Sequence, residues 1–380
     1  MCRMNIYFDN AATTMVRAEA IDAMLRVLRD DYGNPSSVHH MGRRAAGALA
    51  VARSHVANAL GAAPEDVYFT SGGTEADNWA VLGAAETLGR KCRHIITSSA
   101  EHDAVIEPVK KLVSLGWEAA YLTPDSDGRI SVESFAAALR EDTVFASIML
   151  VNNETGAVNP VGGYAQEIKR RGLGTVLHTD AVQGFCKIPF TVKSLGADLV
   201  TVSAHKLHGP KGVGALYIKS GLRLKPLILG GGQEHGKRPG TEALPAAAGF
   251  GEAVRLGFLE RGETAASIRK LREYACLRLA EELPESVVIG GGDSPFILSL
   301  SLPGNRSEVL MTFLDGEGIC VSKSAACKKG ARSRVLEAMR LNNDVIDGAL
   351  RVSFSRYSTL DEAECFIQTL KRASDTLIKA

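Results

Sequence analysis

The stretch Val144-Phe145-Ala146-Ser147-Ile148-Met149-Leu150-Val151 decides the fold of this chain. It is a continuous apolar run of strand length, which is typical of a strand buried on both faces of a parallel sheet. Helical patterns alternate with similar short runs on either side of it, at residues 67–70, 94–98, 119–122, 175–179, 199–203 and 213–218. We therefore predict an α/β protein whose large domain has a mostly parallel sheet covered by helices.

The pattern changes after Gly230-Gly231-Gly232. Beyond it the sequence predicts a smaller α+β domain, with a long helix at 244–283, strands at 287–289, 297–302 and 350–354, and helices around 308–317 and 360–378. We expect three parts, namely an N-terminal strip at 1–16, a large domain at 17–250 and a small C-terminal domain at 251–380. The strip could pack with either domain.

The composition is that of an ordinary soluble protein. Of the 380 residues, 45% are hydrophobic and 23% are charged, and the formal net charge is +1. Neither nucleic acid nor a membrane is therefore an expected partner. The seven cysteines are scattered and form no C-x-x-C pair, so we expect no metal site and no disulfide framework. Reduced thiols in a cytoplasmic protein are the simplest interpretation.

Lys206 and Asp180 each follow a predicted strand, at the end where ligands bind in such sheets. A desolvated lysine can form a Schiff base with an aldehyde. A buried carboxylate at a neighbouring strand end could pair with a protonated pyridine nitrogen. Taken singly, Lys206 is as well explained by a surface turn, and Asp180 by a cap on the following helix.

Two further strand ends carry candidate side chains. The turn Ser71-Gly72-Gly73-Thr74 joins a strand to a helix, whose N-terminus is a ready anion site. His102 follows the strand at 94–98 and could cover a flat ring and move protons. A plain glycine turn and a structural histidine are the alternatives. The convergence of four such features on one predicted sheet favours a single ligand site.

Together these segments resemble the cysteine desulfurases, within the fold-type I, class V aminotransferase group of pyridoxal-phosphate enzymes. The resemblance covers essentially the whole chain in the expected order. Its segments are Tyr7-Phe8-Asp9-Asn10-Ala11-Ala12-Thr13-Thr14, Gly33-Asn34-Pro35-Ser36-Ser37, Thr70-Ser71-Gly72-Gly73-Thr74-Glu75, Glu101-His102, Val151-Asn152-Asn153-Glu154-Thr155-Gly156, those around Asp180 and Lys206, Gly240-Thr241, and Arg351-Val352-Ser353-Phe354-Ser355-Arg356.

The resemblance implies a pyridoxal 5′-phosphate site. Lys206 would hold the cofactor as a Schiff base, and Lys211 would be a bystander. The other implied cofactor contacts are Asp180 on the pyridine nitrogen, Gln183 on the ring hydroxyl, His102 stacked on the ring, and Gly73, Thr74, Ser203 and His205 on the phosphate.

The resemblance also implies how substrate and subunits meet. Asn153 and Arg351 would contact L-cysteine, with the Arg351 fork on the substrate carboxylate. Thr241 would reach the phosphate of a partner subunit, which implies a homodimer.

Cys327 is the predicted sulfur acceptor. It lies in a small, basic segment, Ser322-Lys323-Ser324-Ala325-Ala326-Cys327-Lys328-Lys329-Gly330, whose lysines favour the nucleophilic thiolate. An incidental exposed cysteine is the alternative, but the segment matches the family's active-site loop. Family members often have Ser-Ser-Gly-Ser-Ala-Cys at this place, and this departure leaves the acceptor partner open. Cys320, on an apparent strand, is expected in the core.

The implied activity is conversion of L-cysteine to L-alanine, with Lys206, His102 and Cys327 as catalytic residues. Sulfur would remain on Cys327 as a persulfide and pass to an acceptor protein, for iron–sulfur cluster assembly, tRNA thiolation or thiamin synthesis. A selenocysteine lyase or a class V aminotransferase on the same scaffold is one alternative. An inactive assembly subunit is another alternative. The presence of all five residues argues against it, namely Lys206, Asp180, His102, Cys327 and Arg351.

Overall fold

The computed structural model describes residues 5–88, 93–323 and 332–377. Its helices are α1 (Ala18–Arg29), α2 (His40–Leu60), α3 (Gly73–Leu88), α4 (Asp103–Ser114), α5 (Val132–Ala138), α6 (Val161–Arg170), α7 (Val192–Leu195), α8 (Leu244–Glu282), α9 (Ser307–Gly316), α10 (Arg334–Ala338), α11 (Asn343–Asp347) and α12 (Leu360–Thr376). Its strands are β1 (Ile6–Tyr7), β2 (Val67–Thr70), β3 (His94–Ser98), β4 (Glu118–Leu122), β5 (Thr143–Ser147), β6 (Val176–Asp180), β7 (Leu199–Ser203), β8 (Gly214–Ile218), β9 (Val287–Ile289), β10 (Ile297–Ser301), β11 (Ile319–Cys320), β12 (Ser322–Lys323) and β13 (Ala349–Ser353).

The large sheet has the strand order β2-β8-β7-β6-β5-β3-β4. Neighbouring strands from β7 to β4 are parallel, and β8 is antiparallel to both β7 and β2. The predicted mostly parallel α/β sheet is thus confirmed. Because β2 and β7 run in the same direction as the other parallel strands, their carboxyl ends lie along one edge of the sheet.

The apolar run at 144–151 is buried from Phe145 onward, but only its first part is assigned to a strand of the sheet. β5 ends at Ser147, and the chain then turns. Asn152 Oδ1 accepts hydrogen bonds from the backbone N–H groups of Glu154 and Thr155, each at 2.9 Å. The backbone still bonds to β6 as far as Leu150, whose N–H donates to the Asp180 carbonyl at 2.8 Å. The Asn152 turn begins just beyond this bond and brings Asn153 and Glu154 to the cavity.

A second, four-stranded antiparallel sheet has the order β12-β13-β10-β9. Its core includes residues from α9 and α12 and from the second half of α8, such as Ile268 and Leu279. The first half of α8, including Leu244 and Val254, packs in the core of the large sheet instead. The boundary proposed at 250/251 therefore falls inside one continuous helix.

The N-terminal strip packs with both parts. β1 pairs in parallel with β11, and Asp9 forms a bridge with Ser353 of the small sheet. Further along the strip, the backbone N–H of Thr14 donates to the carbonyl of His205 at 2.9 Å. The strip thereby links the end of β7 to the small sheet.

Among the residues that the structure describes, no helix is both long and apolar enough to cross a membrane.

Candidate active site

A cavity of about 650 Å³ opens at the carboxyl ends of β2, β3, β6 and β7. Its volume is in the usual range for small-molecule sites. The predicted site residues that line it are Gly73, Thr74, His102, Asn153, Asp180, Gln183, Ser203, His205, Lys206 and Arg351. Thr241 is exposed and is not part of this lining within the described chain, and Cys327 lies outside the described residues.

Lys206 ends a short 3-10 turn that directly follows β7. Its Nζ donates to the carbonyl oxygens of Ala11 and Ala12 at 2.5 and 2.8 Å. The ammonium group is also close enough to Asp180 to favour the charged form of that carboxyl. The N-terminal strip thus holds the amine at the cavity wall, on the side of Asp180, rather than in bulk water.

Asp180 ends β6 and is only 6% exposed. Its Oδ1 accepts a hydrogen bond from the backbone N–H of Val182 at 2.9 Å. Burial raises the pKa of this carboxyl, and the hydrogen bond from the Val182 backbone N–H and the nearby His102 and Lys206 side chains oppose that rise. A buried carboxylate in this setting favours a cationic partner such as a protonated ring nitrogen.

His102 and Gln183 are each held by their own hydrogen bonds. His102 caps α4, and its Nδ1 accepts from the backbone N–H of Ala104 at 3.1 Å, which leaves the proton of the neutral ring on Nε2. Gln183 Nε2 donates to the Ala11 carbonyl at 2.9 Å, and its Oε1 accepts from Lys187 Nζ at 3.3 Å. Both side chains are therefore positioned by the protein itself.

The turn before α3 forms the anion-binding end of the cavity. Gly72 has a φ of +154°, which favours glycine, and α3 begins at Gly73. The first N–H groups of this helix are available to a ligand. The Ser203 hydroxyl is buried beside them and has no hydrogen-bond partner in the described part of the chain. A buried hydroxyl without a partner is costly, and an anion would satisfy it.

Arg351 lies on β13, lines the cavity and is 3% exposed. Its Nη2 donates to Asp9 Oδ1 at 2.9 Å, and its Nη1 donates to the backbone carbonyl of Asn153 at 3.1 Å. Its Nε has no acceptor within residues 5–88, 93–323 and 332–377. Such a guanidinium can take a carboxylate as a further partner.

Comparisons with known proteins identify the family of this chain. The model of the class-V aminotransferase family matches residues 6–366. Cysteine desulfurase IscS of Dictyoglomus turgidum is 39% identical over 380 residues, which is 99% of this chain and 96% of the relative. The chain is a member of the cysteine desulfurases, within the class-V aminotransferase family. A cysteine desulfurase of Cereibacter sphaeroides is also 39% identical, over 98% of this chain and 96% of its own.

Solved structures agree with this placement of the desulfurase. A NifS-like protein superposes with a TM-score of 0.93 at 38% identity, covering 98% of this chain and 100% of the other. SspA in complex with cysteine gives a TM-score of 0.81 at 31% identity, covering 93% and 100%.

Enzymes of this family depend on pyridoxal phosphate, and so does this desulfurase. The residues present fit the group. The unpartnered Ser203 hydroxyl and the start of α3 suit its phosphate, the buried Asp180 suits its ring nitrogen, and Lys206 suits its aldehyde. Among the described residues, no group of three His, Cys, Asp or Glu side chains could hold a metal ion.

Three buried carboxyl groups of the cavity were missed by the sequence interpretation, namely Asp77, Glu101 and Glu154. Burial raises the pKa of Glu101 to about 8 and that of Glu154 to about 7. Glu154 accepts a hydrogen bond from Ser333.

Of these three buried carboxyl groups, only Asp77 could have been recognised as buried from the sequence. Asp77 is an acidic residue on the apolar stripe of α3, four residues after Gly73 and flanked by buried Ala76 and Ala80. Glu101 and Glu154 lie in turns, where acidic residues are usually exposed.

Proposed function

We propose that this desulfurase converts L-cysteine to L-alanine in the cavity and transfers the sulfur to Cys327 as a persulfide. The observation that supports this most is the convergence of Lys206, Asp180 and Arg351 on one cavity. Bound pyridoxal phosphate supplies an electron sink for negative charge at the substrate's α-carbon.

Lys206 moves the protons. Its Nζ takes a proton from the α-carbon of the substrate and later supplies one to the carbon that loses sulfur. The carbonyls of Ala11 and Ala12 accept its N–H groups and so stabilise the protonated form between these two steps. His102, with a proton on Nε2, is the second proton donor at the cavity wall.

The cofactor is held by residues from several strand ends. Asp180 pairs with the ring nitrogen, and His102 covers the ring. Gln183 faces the ring hydroxyl, with its amide already fixed by Ala11. The phosphate is proposed to contact Gly73, Thr74, Ser203 and His205.

Arg351 binds the carboxylate of L-cysteine. Asp9 and the Asn153 carbonyl hold the guanidinium in place. Its buried Nε has no partner in the described chain and is proposed as a further donor to the substrate. The planar fork suits a carboxylate better than a lysine would. The Asn153 side chain is proposed as a second substrate contact.

Cys327 takes the sulfur. The thiolate attacks the substrate sulfur and forms an S–S bond as the carbon–sulfur bond breaks. The carbon keeps the electron pair and gains a proton, so that alanine and a Cys327 persulfide result. Arg332 lines the cavity five positions after Cys327, and five extended residues span at most about 17 Å. Chain connectivity is therefore compatible with sulfur transfer inside the cavity.

The active form is proposed to be a homodimer. Helix α1 exposes an apolar stripe, Ile21, Leu25 and Leu28, at helical spacing. Exposed apolar patches of this kind mark interaction surfaces. Thr241 is exposed and does not line the cavity of its own subunit in the described chain. This position is consistent with a contact to the phosphate bound in the partner subunit.

The persulfide is proposed to pass to an acceptor protein in the cytoplasm. Iron–sulfur cluster assembly and tRNA thiolation are the candidate destinations. Radiolabelled sulfur from L-cysteine, followed from Cys327 to purified candidate acceptors, would identify the recipient.

The proposed activity is tested by measuring alanine and sulfide release from L-cysteine with a thiol reductant. The two products should form in equal amounts, and addition of a keto acid should not increase cysteine consumption. Cys327→Ala should bind L-cysteine but release almost no sulfide, whereas Cys320→Ala, on β11, is the matched control. Transfer of the amino group to the keto acid, or preferential turnover of selenocysteine, would reject the proposal.

A further inference from the structure

A second buried carboxyl group lies against Asp180. Asp77 is on α3, one turn after Gly73, and is 1% exposed. It lines the same cavity, and its side chain interacts directly with that of Asp180. Asp77 Oδ1 receives no hydrogen bond from any donor in the part of the chain that the structure describes.

Within the described part of the chain, the groups that face Asp77 carry no positive charge. Asp180 and His178 approach from β6, Thr201 from β7, and Glu101 from the segment after β3. His178 Nε2 is 3.6 Å from Asp77 Oδ1, but burial lowers the pKa of this ring to about 3, so it is neutral.

Both nitrogens of the neutral His178 ring are hydrogen-bonded to hydroxyl groups. Its Nε2 lies 3.0 Å from Thr201 Oγ1, and its Nδ1 lies 2.8 Å from Ser147 Oγ. It therefore cannot serve as the counter-ion that an ionised Asp77 would need.

Two buried carboxyl groups in contact cannot both be ionised at moderate cost. Two carboxylates have only acceptor atoms, so a hydrogen bond between them requires a proton on one. Burial and the neighbouring Asp180 raise the pKa of Asp77 well above its usual range. Lys206 and His102 lie on the Asp180 side and stabilise the charge there.

We infer, given the proposed role of Asp180 toward the pyridine ring, that Asp77 is a positioning residue whose carboxylic acid donates a hydrogen bond to the Asp180 carboxylate. Asp180 then has two fixed donors, the Val182 backbone N–H and the Asp77 hydroxyl, and a remaining lone pair for the ring nitrogen. These donors set the direction of the carboxylate. The Asp77 proton also withdraws charge from Asp180.

Two substitutions separate the hydrogen bond from the charge. Asp77→Asn keeps a donor of nearly the same shape but cannot ionise, and Asp77→Leu keeps the branched side-chain skeleton, with a somewhat larger volume, but has no donor. The dissociation constant of pyridoxal phosphate from the apoprotein, measured by fluorescence titration, reports on the orientation of Asp180. We expect Asp77→Asn to bind within about threefold of wild type and Asp77→Leu to bind about tenfold or more weakly. Wild-type affinity in Asp77→Leu, or a loss in Asp77→Asn as large as that in Asp77→Leu, would overturn the inference.

A second measurement uses the apoprotein alone. The raised pKa of Asp77 means that its stabilising proton is fully present below the unfolded pKa and is lost as the pH rises through the folded pKa. Wild type should therefore lose stability relative to Asp77→Asn as the pH rises, and the exposed Asp22→Asn is the control that should follow wild type. A difference between wild type and Asp77→Asn that stays constant with pH would contradict a protonated Asp77. This result is independent of desulfurase activity, so it separates failure of this inference from failure of the proposed function.

Discussion

Arg351 donates through Nη2 to Asp9 Oδ1 at 2.9 Å, across 342 positions of the chain. The pair joins the N-terminal strip to β13 at the cavity wall. Because Asp9 occupies one edge of the guanidinium, only part of the fork remains for a substrate. The N-terminal strip therefore positions two groups of the cavity. Asp9 holds the Arg351 guanidinium, and the carbonyls of Ala11 and Ala12 hold the Lys206 amine.

Arg351→Lys should weaken substrate binding while leaving cofactor binding intact. A lysine cannot reproduce the fork, and the loss of one charged hydrogen bond predicts a fall in kcat/KM of about 10- to 100-fold, mainly through KM. Steady-state kinetics with L-cysteine would measure it. Arg356→Lys is the control, since Arg356 pairs with Glu260 away from this cavity. An unchanged KM in Arg351→Lys would contradict the assignment.

Lys206→Ala should remove both the proton carrier and the covalent attachment of the cofactor. We expect kcat to fall by at least about 10²- to 10⁴-fold and the visible absorption of the lysine-linked cofactor to disappear. Lys211→Ala, at an exposed position five residues later, should keep both. A retained absorption band in Lys206→Ala would show that another amine holds the cofactor.

Glu101→Gln should change how stability depends on pH. Glu101 Oε1 accepts from the Ser98 hydroxyl and the Met149 backbone N–H, and burial raises its pKa from 4.5 to about 8. The stability that this group contributes is complete below its unfolded pKa and is lost as the pH rises through about 8. At about 1.4 kcal/mol per pKa unit, the loss amounts to a few kcal/mol.

Glutamine resembles the protonated acid and keeps Oε1 as an acceptor. The free energy of unfolding should be measured in urea from pH 5 to pH 9 for both proteins. The value for Glu101→Gln should increase relative to that of wild type as the pH rises. Parallel curves for the two proteins would mean that Glu101 is ionised across this range.

Leu28→Glu should disrupt the proposed dimer. Leu28 is 56% exposed on the apolar stripe of α1, and a buried, unpaired carboxylate at an interface is costly. Sedimentation equilibrium should show a shift toward monomer. Leu277→Glu is the matched control, since Leu277 is 58% exposed on the second half of α8. A Leu28→Glu protein that sediments like wild type would place the interface elsewhere.

Much of the fold could be predicted from the sequence because apolar strand runs and helical periodicity are local signals. β5, β6 and β7 are short and buried, and their runs are visible at 144–151, 175–179 and 199–203. The antiparallel direction of β8 has no local signature, since a buried antiparallel strand has the same apolar pattern as a parallel one. The short β1 and β11 are stabilised only by pairing with each other and by tertiary packing.

The site was predictable where chemistry coincides with a strand end. Thr74, His102 and Lys206 follow strands and Asp180 ends one, and parallel strands bring their carboxyl ends together. Contacts across the chain, such as Lys206 with Ala11, depend on tertiary structure and leave no pattern in either segment.

The most direct test is mass spectrometry of the protein after a single turnover with L-cysteine and no added reductant. We expect one added sulfur on the peptide that contains Cys327, with one alanine released for each persulfide formed. Sulfur on a peptide containing another cysteine, or alanine release with Cys327 unmodified, would contradict it.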